Sequence, residues 1–224
     1  MSILEVRNLS VKIDGKEIIK NINFTLNEGE ILLVIGPNGG GKTTLLKAIL
    51  KIIPYEGEVI IKNNYKIGYL PQNIDNISKI PIVVFEMFKF FTSAKNEEIY
   101  KILEFFDLIK YKNELFRNLS GGLKQRVLIA ISILTNSKIL LLDEPTNNLD
   151  LNAQNEFYNL IKKLKEEYKT SMIIVSHDIG IVNAIADNVL CLNRTMFYHG
   201  KPNLTEKELC ELYGSEVRLI IHAH

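Results

Sequence analysis

Apolar residues in this chain fall into short runs that are separated by polar turns and by segments of helical periodicity. Two segments alternate between apolar and polar positions, Ile3–Leu9 and Ile18–Leu26, and they predict a hairpin that turns at Asp14-Gly15. Three further runs are continuous enough to be strands buried on both faces, namely Ile31–Ile35, Ile139–Leu142 and Met172–Val175. The pattern predicts an α/β fold with a mostly parallel core sheet and an N-terminal antiparallel β subdomain.

Helical spacing of apolar residues recurs between these strands. It predicts four helices, at Thr44–Leu50, Glu97–Phe106, Val127–Thr135 and Ala153–Tyr168. The first is expected to stop near Ile53-Pro54, because proline cannot continue a helix. Two shorter segments, Gly57–Ile61 and Lys66–Leu70, predict additional strands. We expect one domain over residues 1–224, with a small α-helical subdomain inserted at about 73–135.

The helical subdomain begins with an unusually apolar and aromatic segment, Pro81–Phe91. Most of its side chains are expected to pack in the core. The surplus over what one small subdomain can bury predicts a groove for a partner.

One stretch carries clear chemistry, because it fits G-x-x-x-x-G-K-[ST] between a predicted strand and a predicted helix. Its glycines let backbone N–H groups turn toward phosphate oxygens, and the helix N-terminus adds further donors. Lys42 would face the β- and γ-phosphates, and the hydroxyl of Thr43 can ligate Mg²⁺. A glycine-rich turn without function is the alternative, and the flanking elements argue against it. The predicted phosphate-binding residues are Gly36, Pro37, Asn38, Gly39, Gly40, Gly41, Lys42, Thr43 and Thr44.

A second anion site is predicted where Ser120-Gly121-Gly122 precedes a helix. Ser120 is a good N-cap, and the two glycines leave backbone N–H groups open. One chain does not need two sites for one phosphate group, so this second site indicates a nucleotide bound elsewhere. Taken alone, the tripeptide is typical of an ordinary helix cap.

Two strand ends carry candidate catalytic residues. Asp143 and Glu144 follow a buried run, where Asp143 would hold Mg²⁺ through water and Glu144 would polarise an attacking water. The alternative is a solvated acidic turn. His177 follows the next buried run, and we expect it at the same carboxyl edge as Asp143. A structural histidine is the alternative for that position.

Composition limits the class of protein. The formal net charge of +1 over 224 residues demands no strongly basic face, so nucleic acid is not an expected partner. Cys191 and Cys210 match no metal-ligand spacing and are expected to be free thiols in a reducing compartment. We expect neither a signal peptide nor a span of the roughly 20 apolar residues that cross a bilayer. A membrane role would therefore come through a partner.

The chain resembles the nucleotide-binding subunit of ATP-binding-cassette (ABC) transporters over essentially its whole length. Six features stand in the order typical of that family: the phosphate loop Gly36–Thr43, a glutamine loop at Gln72, the signature Leu119–Gln125, the strand end Asp143-Glu144, the loop Leu149-Asp150 and the switch histidine His177. The resemblance implies the P-loop NTPase fold of the ABC cassette, with helices flanking the sheet. It also implies an ATPase that converts ATP and water to ADP and phosphate.

The resemblance assigns roles to individual residues. Two copies would pair head to tail with two ATP molecules between them, so that the signature of one copy reaches the γ-phosphate held by the other. The implied nucleotide-binding residues outside the phosphate loop are Ser120, Gly121, Gly122, Gln125 and Asp150. The implied Mg²⁺ ligands are Thr43, Gln72 and Asp143. The implied catalytic residues are Glu144, as base, and His177, in contact with the γ-phosphate and water.

The same resemblance implies partners and a location. ATP would close the homodimer and hydrolysis would reopen it. The segment Ile80–Phe91 would grip a short cytoplasmic helix of a multi-span membrane permease. The chain would then be peripheral, on the cytoplasmic face of the inner or plasma membrane. A periplasmic or extracellular metal-binding protein would be an indirect partner.

Two positions depart from the family pattern. The family usually stacks adenine on an aromatic residue near the end of the first hairpin strand, where this chain has Ile13. Adenine would then meet an aliphatic face. Gly40 stands where alanine or serine is common, and this substitution is frequent among metal-importer subunits.

The tail indicates the transported solute. Segments 187–194, 199–202 and 212–214, and the terminal His222-Ala223-His224, resemble ATPase subunits of bacterial zinc importers. We therefore expect a subunit that drives uptake of a divalent metal ion, zinc. The alternatives are a manganese or iron importer, or a non-transport ABC ATPase such as a cell-division type. For the final His-x-His, a zinc-sensing tail and a disordered end both stay open. A degenerate cassette that only binds ATP is disfavoured by Lys42, Glu144 and His177.

Overall fold

The computed structural model describes residues 1–74, 79, 81–147, 149–177 and 182–202. Its strands are β1 (Ser2–Ile13), β2 (Lys16–Asn27), β3 (Ile31–Ile35), β4 (Glu56–Ile61), β5 (Lys66–Leu70), β6 (Ser137–Asp143), β7 (Ser171–Ser176), β8 (Asn188–Asn193) and β9 (Thr195–Gly200). Every strand that the sequence pattern predicts is among them, several with extended ends.

The helices are α1 (Lys42–Ile49), α2 (Val84–Phe91), α3 (Asn96–Phe105), α4 (Gly121–Leu134), α5 (Leu151–Tyr168) and α6 (Val182–Ile185). Short 3₁₀ turns lie at Lys62–Asn64, Ile109–Tyr111 and Phe116–Asn118. In the part of the chain that the structure describes, no helix combines the length and the apolarity needed to cross a bilayer.

Two compact units make up the chain, one of Met1–Lys62 with Ile173–His224 and one of Asn63–Met172. We describe each unit by itself. The expectation of a single domain with a helical subdomain at about 73–135 stays a prediction.

The first unit contains an antiparallel sheet of order β2-β1-β4. Its hairpin turns at Asp14 and Gly15, whose φ angles of 49° and 74° are those of the two-residue turns that match strand twist. Ile13 and Lys16 face each other across this turn. The predicted hairpin is confirmed, and bulges between Val6 and Val11 allow β1 to continue beyond the predicted end.

A second set of neighbouring strands in the first unit has the order β7-β3-β8-β9. β3 pairs with β8 in parallel, with Leu32 opposite Asn188 and Ile35 opposite Cys191. All five residues of β3 are fully buried, which explains why its sequence is continuously apolar. Cys191 is buried and belongs to no disulfide in the described part of the chain, and Cys210 lies outside the described residues.

Helix α1 follows the phosphate loop but ends earlier than predicted. It stops at Ile49, and Lys51 adopts a left-handed conformation with φ 59°. The chain therefore leaves the helix before Pro54, and proline is not what ends it.

In the second unit, β5 pairs in parallel with β6, so that Gly68 lies opposite Leu140. Helix α4 begins at Gly121, six residues before the predicted Val127, because Ser120 caps it by accepting the Leu123 N–H at 3.5 Å. The predicted apolar faces of the next two helical segments are buried: Ile99, Ile102, Leu103 and Phe106 in and after α3, and Phe157, Leu160, Ile161 and Leu164 in α5.

Helix α2 divides the aromatic segment between core and surface. Val84, Met87 and Phe88 are fully buried, whereas Phe90 is 77% exposed and Phe91 46% exposed. The rings of Phe90 and Phe91 stack edge to face with their centroids 4.9 Å apart. The aromatic residues that the core cannot bury are therefore Phe90 and Phe91, which lie exposed at the end of this helix.

Candidate nucleotide site

The phosphate loop lies in the first unit, between β3 and α1. Asn38 and Gly39 are exposed at its tip, whereas Gly36, Gly40 and Gly41 are buried. Gly41 directly precedes the helix with φ 96°, and a Cβ there would come within 2.2 Å of Cγ2 of Ile19. Only glycine therefore allows the loop to enter the helix at this point.

Lys42 is the cation of this loop. Its side chain is buried, and its Nζ donates to the carbonyl oxygens of Gly36 at 2.8 Å and Pro37 at 3.0 Å. Thr43 and Thr44 follow in the first helical turn, both half-buried. The loop thus combines a held ammonium group with the N-terminus of an eight-residue helix, a combination that suits anionic oxygen ligands.

A turn far along the chain supports the loop. The Arg194 N–H donates to the Gly40 carbonyl at 2.9 Å, and the Arg194 carbonyl accepts the Lys20 N–H at 2.8 Å. Arg194 itself has φ 62°. The turn between β8 and β9 therefore connects the phosphate loop to β2. The sequence analysis did not predict that Arg194 contacts the phosphate loop. A left-handed backbone at Arg194 cannot be read directly from the sequence.

His177 directly follows β7 and is exposed. Within the first unit, β7 is the sheet neighbour of β3, the strand that leads into the phosphate loop. Asp178, the next residue, lies outside the described residues. The contact of His177 with phosphate and water stays a prediction.

The second unit carries the acidic strand end. Asp143, the last residue of β6, is buried, and the Tyr69 hydroxyl lies 3.5 Å from its Oδ2 as donor. Burial, reinforced by the negative charge of Asp143, raises the pKa of Tyr69 to about 12. The phenol therefore remains a neutral donor beside the carboxylate over the physiological pH range.

Glu144 follows in a left-handed conformation, with φ 48°. Its Oε2 accepts from Nε2 of Gln72 at 2.9 Å and also from Nδ2 of Asn147. Two side-chain amides therefore hold the same carboxylate oxygen. Sequence reasoning included Gln72 but missed Asn147, although its place three residues after Glu144 in a polar turn was the available signal.

A groove of about 660 Å³ in the second unit gathers several predicted residues, namely Gln72, Ser120, Gly121, Gly122, Gln125 and Asp150. Asp150 also caps α5, because its Oδ1 accepts the Ala153 N–H at 2.9 Å. Oε1 of Gln125 is buried and has no hydrogen-bond partner among the described residues. The groove therefore offers a polar wall beside the N-terminus of α4.

Arg126 links the N-terminal part of α4 to neighbouring segments through ion pairs. Its guanidinium makes ion pairs with Glu156 of α5 at 2.6 Å and with Asp107 at 3.6 Å, and the arginine side chain is only 16% exposed. The signature residues are thus presented by a helix that is tied to α5.

Comparisons with known proteins identify the family. The family described as ABC transporter matches residues 19–147. The zinc import ATP-binding protein ZnuC of Pasteurella multocida is 35% identical over 231 residues, which cover 100% of this chain and 88% of that protein. The ZnuC protein of Wigglesworthia glossinidia brevipalpis is 36% identical over 228 residues, covering 100% and 98%. A Thermotoga maritima protein named "Probable metal transport system ATP-binding protein" is 39% identical over 206 residues, covering 89% and 85%.

Solved structures agree on the fold. A chain of an ABC transporter described as of metal-chelate type, in an inward-facing conformation, has a TM-score of 0.83 at 30% identity, covering 95% of this chain and 89% of that one. The cbiO1 protein of Clostridium perfringens, part of the ABC transporter complex cbiONQ, has a TM-score of 0.81 at 28% identity, covering 94% and 93%. Both the resemblance and the predicted fold class are confirmed. The chain therefore belongs to the ABC transporter family, in which it is an ATP-binding ATPase subunit.

Proposed function

We propose that the chain is the ATP-hydrolysing subunit of a membrane ABC importer that takes up a divalent metal ion, zinc. The observation that carries this proposal is the similarity to zinc import ATP-binding proteins along nearly the full length of both chains. The phosphate loop and the acidic strand end supply the two kinds of residue that ATP hydrolysis needs.

Binding of ATP is assigned to the loop Gly36–Thr44. The ammonium group of Lys42, held at the Gly36 and Pro37 carbonyls, is the cation for the β- and γ-phosphates. Ile13 is 45% exposed at the end of β1 and is proposed to contact the adenine ring. Glu144 acts as the base toward the attacking water, and His177 contacts the γ-phosphate.

A magnesium ion is proposed to accompany the nucleotide. The assigned ligands, Thr43, Gln72 and Asp143, offer hydroxyl, amide and carboxylate oxygens, which are the donors that Mg²⁺ prefers. Among the residues that the structure describes, no group of three or more His, Cys, Asp or Glu side chains could hold a metal by itself. This suits Mg²⁺, which keeps several waters and takes few protein ligands. When bound, it would neutralise charge on the phosphates.

Pairing of two copies explains why one chain has two anion sites. Ser120, Gly121 and Gly122 stand at the N-terminus of α4, whereas the phosphate loop stands at the N-terminus of α1. In a head-to-tail homodimer, each ATP would lie between the loop of one copy and the signature of the other. The unsatisfied Oε1 of Gln125 in the signature groove is available to accept a hydrogen bond from that nucleotide.

A membrane permease is the proposed partner of α2. The exposed rings of Phe90 and Phe91 offer an apolar surface to a short cytoplasmic helix of that permease. The chain would then work as a peripheral subunit on the cytoplasmic face of the membrane. The metal-binding protein outside the cell or in the periplasm would act on it only through the permease.

The choice of metal rests on the relatives, because the solute is not expected to touch this chain. The Thermotoga relative, named for metal transport without a stated ion, keeps manganese or iron import as the second candidate. The tail segments 212–214 and 222–224, including His222 and His224, lie outside the described residues.

The test is reconstitution of the chain with a multi-span permease and the metal-binding protein that serves that permease. We expect ATPase activity to rise when zinc-loaded binding protein is added, and zinc to enter vesicles only with ATP. Glu144→Gln serves as the control that lacks turnover. Uptake of manganese or iron in preference to zinc would support the second candidate, and turnover that no metal-loaded binding protein changes would contradict metal import.

A further inference from the structure

We propose that Asn147 is a positioning residue for the catalytic carboxylate of Glu144, an inference that rests on the proposed role of Glu144 as base. Nδ2 of Asn147 donates to Oε2 of Glu144, so the amide contacts the carboxylate directly. The two residues also form a backbone turn, because the Asn147 N–H donates to the Glu144 carbonyl at 3.2 Å. Glu144 is therefore bound by Asn147 through both its main chain and its side chain.

The loop that carries Asn147 is itself anchored. The hydroxyl of Tyr158 in α5 donates to Oγ1 of Thr146 at 3.2 Å, and both residues are buried. The Leu149 N–H donates to the Thr146 carbonyl at 3.2 Å, which closes the following turn. The backbone on both sides of Asn147 is thus anchored, which fixes the point from which its side-chain amide reaches Glu144.

Glu144 needs such support because its backbone is in a left-handed conformation that non-glycine residues rarely adopt. Contacts with neighbouring residues must therefore stabilise the backbone of Glu144 and hold its carboxylate in place. Gln72 donates to the same oxygen, but Gln72 has a second proposed task as a Mg²⁺ ligand. Both hydrogen bonds that Asn147 makes to described residues go to Glu144, one from its side chain and one from its backbone N–H.

The groove of about 660 Å³ includes Asn147 in its wall, beside Gln72 and Ser120. Asn147 therefore lines the groove while its Nδ2 donates to Oε2 of Glu144. It donates a hydrogen bond to a negatively charged oxygen, which is stronger than a bond between neutral groups. Such a bond orients the base without taking part in the transfer of the proton.

The test compares Asn147→Asp, which keeps the shape but replaces the donor with a second carboxylate that repels Glu144, with Asn147→Ala, which only removes the side chain. We expect both to lower kcat by roughly 10- to 100-fold, because small displacements of a catalytic group cost about that much. The KM for ATP and the Kd for ATP should stay within about twofold, since neither variant touches the phosphate loop. Asn155→Ala, at an exposed asparagine of α5, is the matched control and should keep the parent kcat.

A double-variant comparison separates positioning from general damage. In a Glu144→Gln background, Asn147→Ala should leave the residual turnover unchanged, because the residue acts through the carboxylate. An equal loss in both backgrounds would overturn the inference, as would parent-like kcat in both single variants. If either variant has a lowered melting temperature, kcat is measured well below it. Parent-like turnover in Glu144→Gln alone would instead refute the role of Glu144, so the two failures are distinguishable.

Discussion

The backbone N–H of Arg194 donates to the carbonyl oxygen of Gly40 at 2.9 Å and thereby ties the turn between β8 and β9 to the phosphate loop. Backbone atoms of β8 and of the phosphate loop also lie close to the side-chain position of Gly40. A Cβ at Gly40 would lie 2.9 Å from the Leu192 carbonyl oxygen and 3.0 Å from the Pro37 carbonyl oxygen. This explains why position 40 is glycine and not the alanine or serine common in the family: backbone atoms occupy the space that a Cβ would need.

Gly40→Ala should therefore destabilise the chain. The methyl group would push against two backbone carbonyls that cannot rotate away, and such overpacking typically costs about 1–3 kcal/mol. We expect a lower urea midpoint and weaker ATP binding. Gly121→Ala is the control for the urea midpoint alone, because no atom lies within 4 Å of its Cβ position. A Gly40→Ala chain as stable as the parent would show that the turn yields easily.

Lys42→Ala should fail at nucleotide binding. A buried ammonium group that the loop carbonyls hold in place would be lost, and a hydrogen bond to a charged group contributes about 1.5–3 kcal/mol. We expect the Kd for ATP to rise roughly 10- to 100-fold. Lys47→Ala, at an exposed lysine in the last turn of the same helix, should bind like the parent. Equal affinities in a fluorescence titration would contradict the assignment of Lys42.

Glu144→Gln should bind ATP but fail to hydrolyse it. The amide keeps the size of the side chain but cannot accept a proton from water, so turnover should fall about 10²- to 10⁴-fold. ATP binding should persist, and dimers stabilised by ATP should accumulate in size-exclusion chromatography. Glu166→Gln, at an exposed glutamate of α5, is the matched control. Normal phosphate release by the Glu144 variant would remove this residue from the role of base.

Ile13→Tyr addresses the contact with adenine. Ile13 is 45% exposed beside the hairpin turn, whereas Phe24 is buried with its ring against His199, their centroids 6.2 Å apart. Phe24 is therefore engaged in the core. Stacking on an aromatic ring contributes about 1–3 kcal/mol per base, so the variant should bind ATP about tenfold more tightly.

The chemical step should not change in Ile13→Tyr. Ile60→Tyr places the same ring at an exposed isoleucine of β4 in the same sheet and should leave affinity unaltered. An ATP dissociation constant for Ile13→Tyr equal to or weaker than that of the parent would show that Ile13 does not face adenine unassisted.

β3, β6 and β7 could be predicted because burial on both faces leaves a direct trace in the sequence, whereas no strand was predicted at β8 or β9. β3 is a continuous apolar run and β6 and β7 each contain one, and candidate site residues stand at or directly after the end of each run. The phosphate loop and the signature were predictable for a related reason, since glycines and a capping serine are local features. The predicted cap at Ser120 is confirmed, but the helix was predicted to start at Val127, where the apolar residues begin, and α4 in fact starts directly after the cap.

Individual hydrogen bonds that depend on the folded backbone could not be predicted from the sequence. The bond between Arg194 and Gly40 depends on how β8 and β9 turn, and nothing near Gly40 in the sequence announces it. The hold of Asn147 on Glu144 depends on the left-handed backbone at Glu144, which no propensity favours for glutamate. The end of α1 at Ile49 likewise reflects the backbone of Lys51 and not the nearby proline.

The exposed pair Phe90 and Phe91 also has a spectroscopic consequence. The chain contains no tryptophan, so its near-ultraviolet emission comes from tyrosine alone. A tryptophan introduced at position 90 would be the single indole of the protein and would stand in water, where Phe90 is 77% exposed. Any surface that covers α2 would shift that emission to shorter wavelength, and excitation at a wavelength that indole absorbs but tyrosine does not would separate it from the emission of the nine tyrosines.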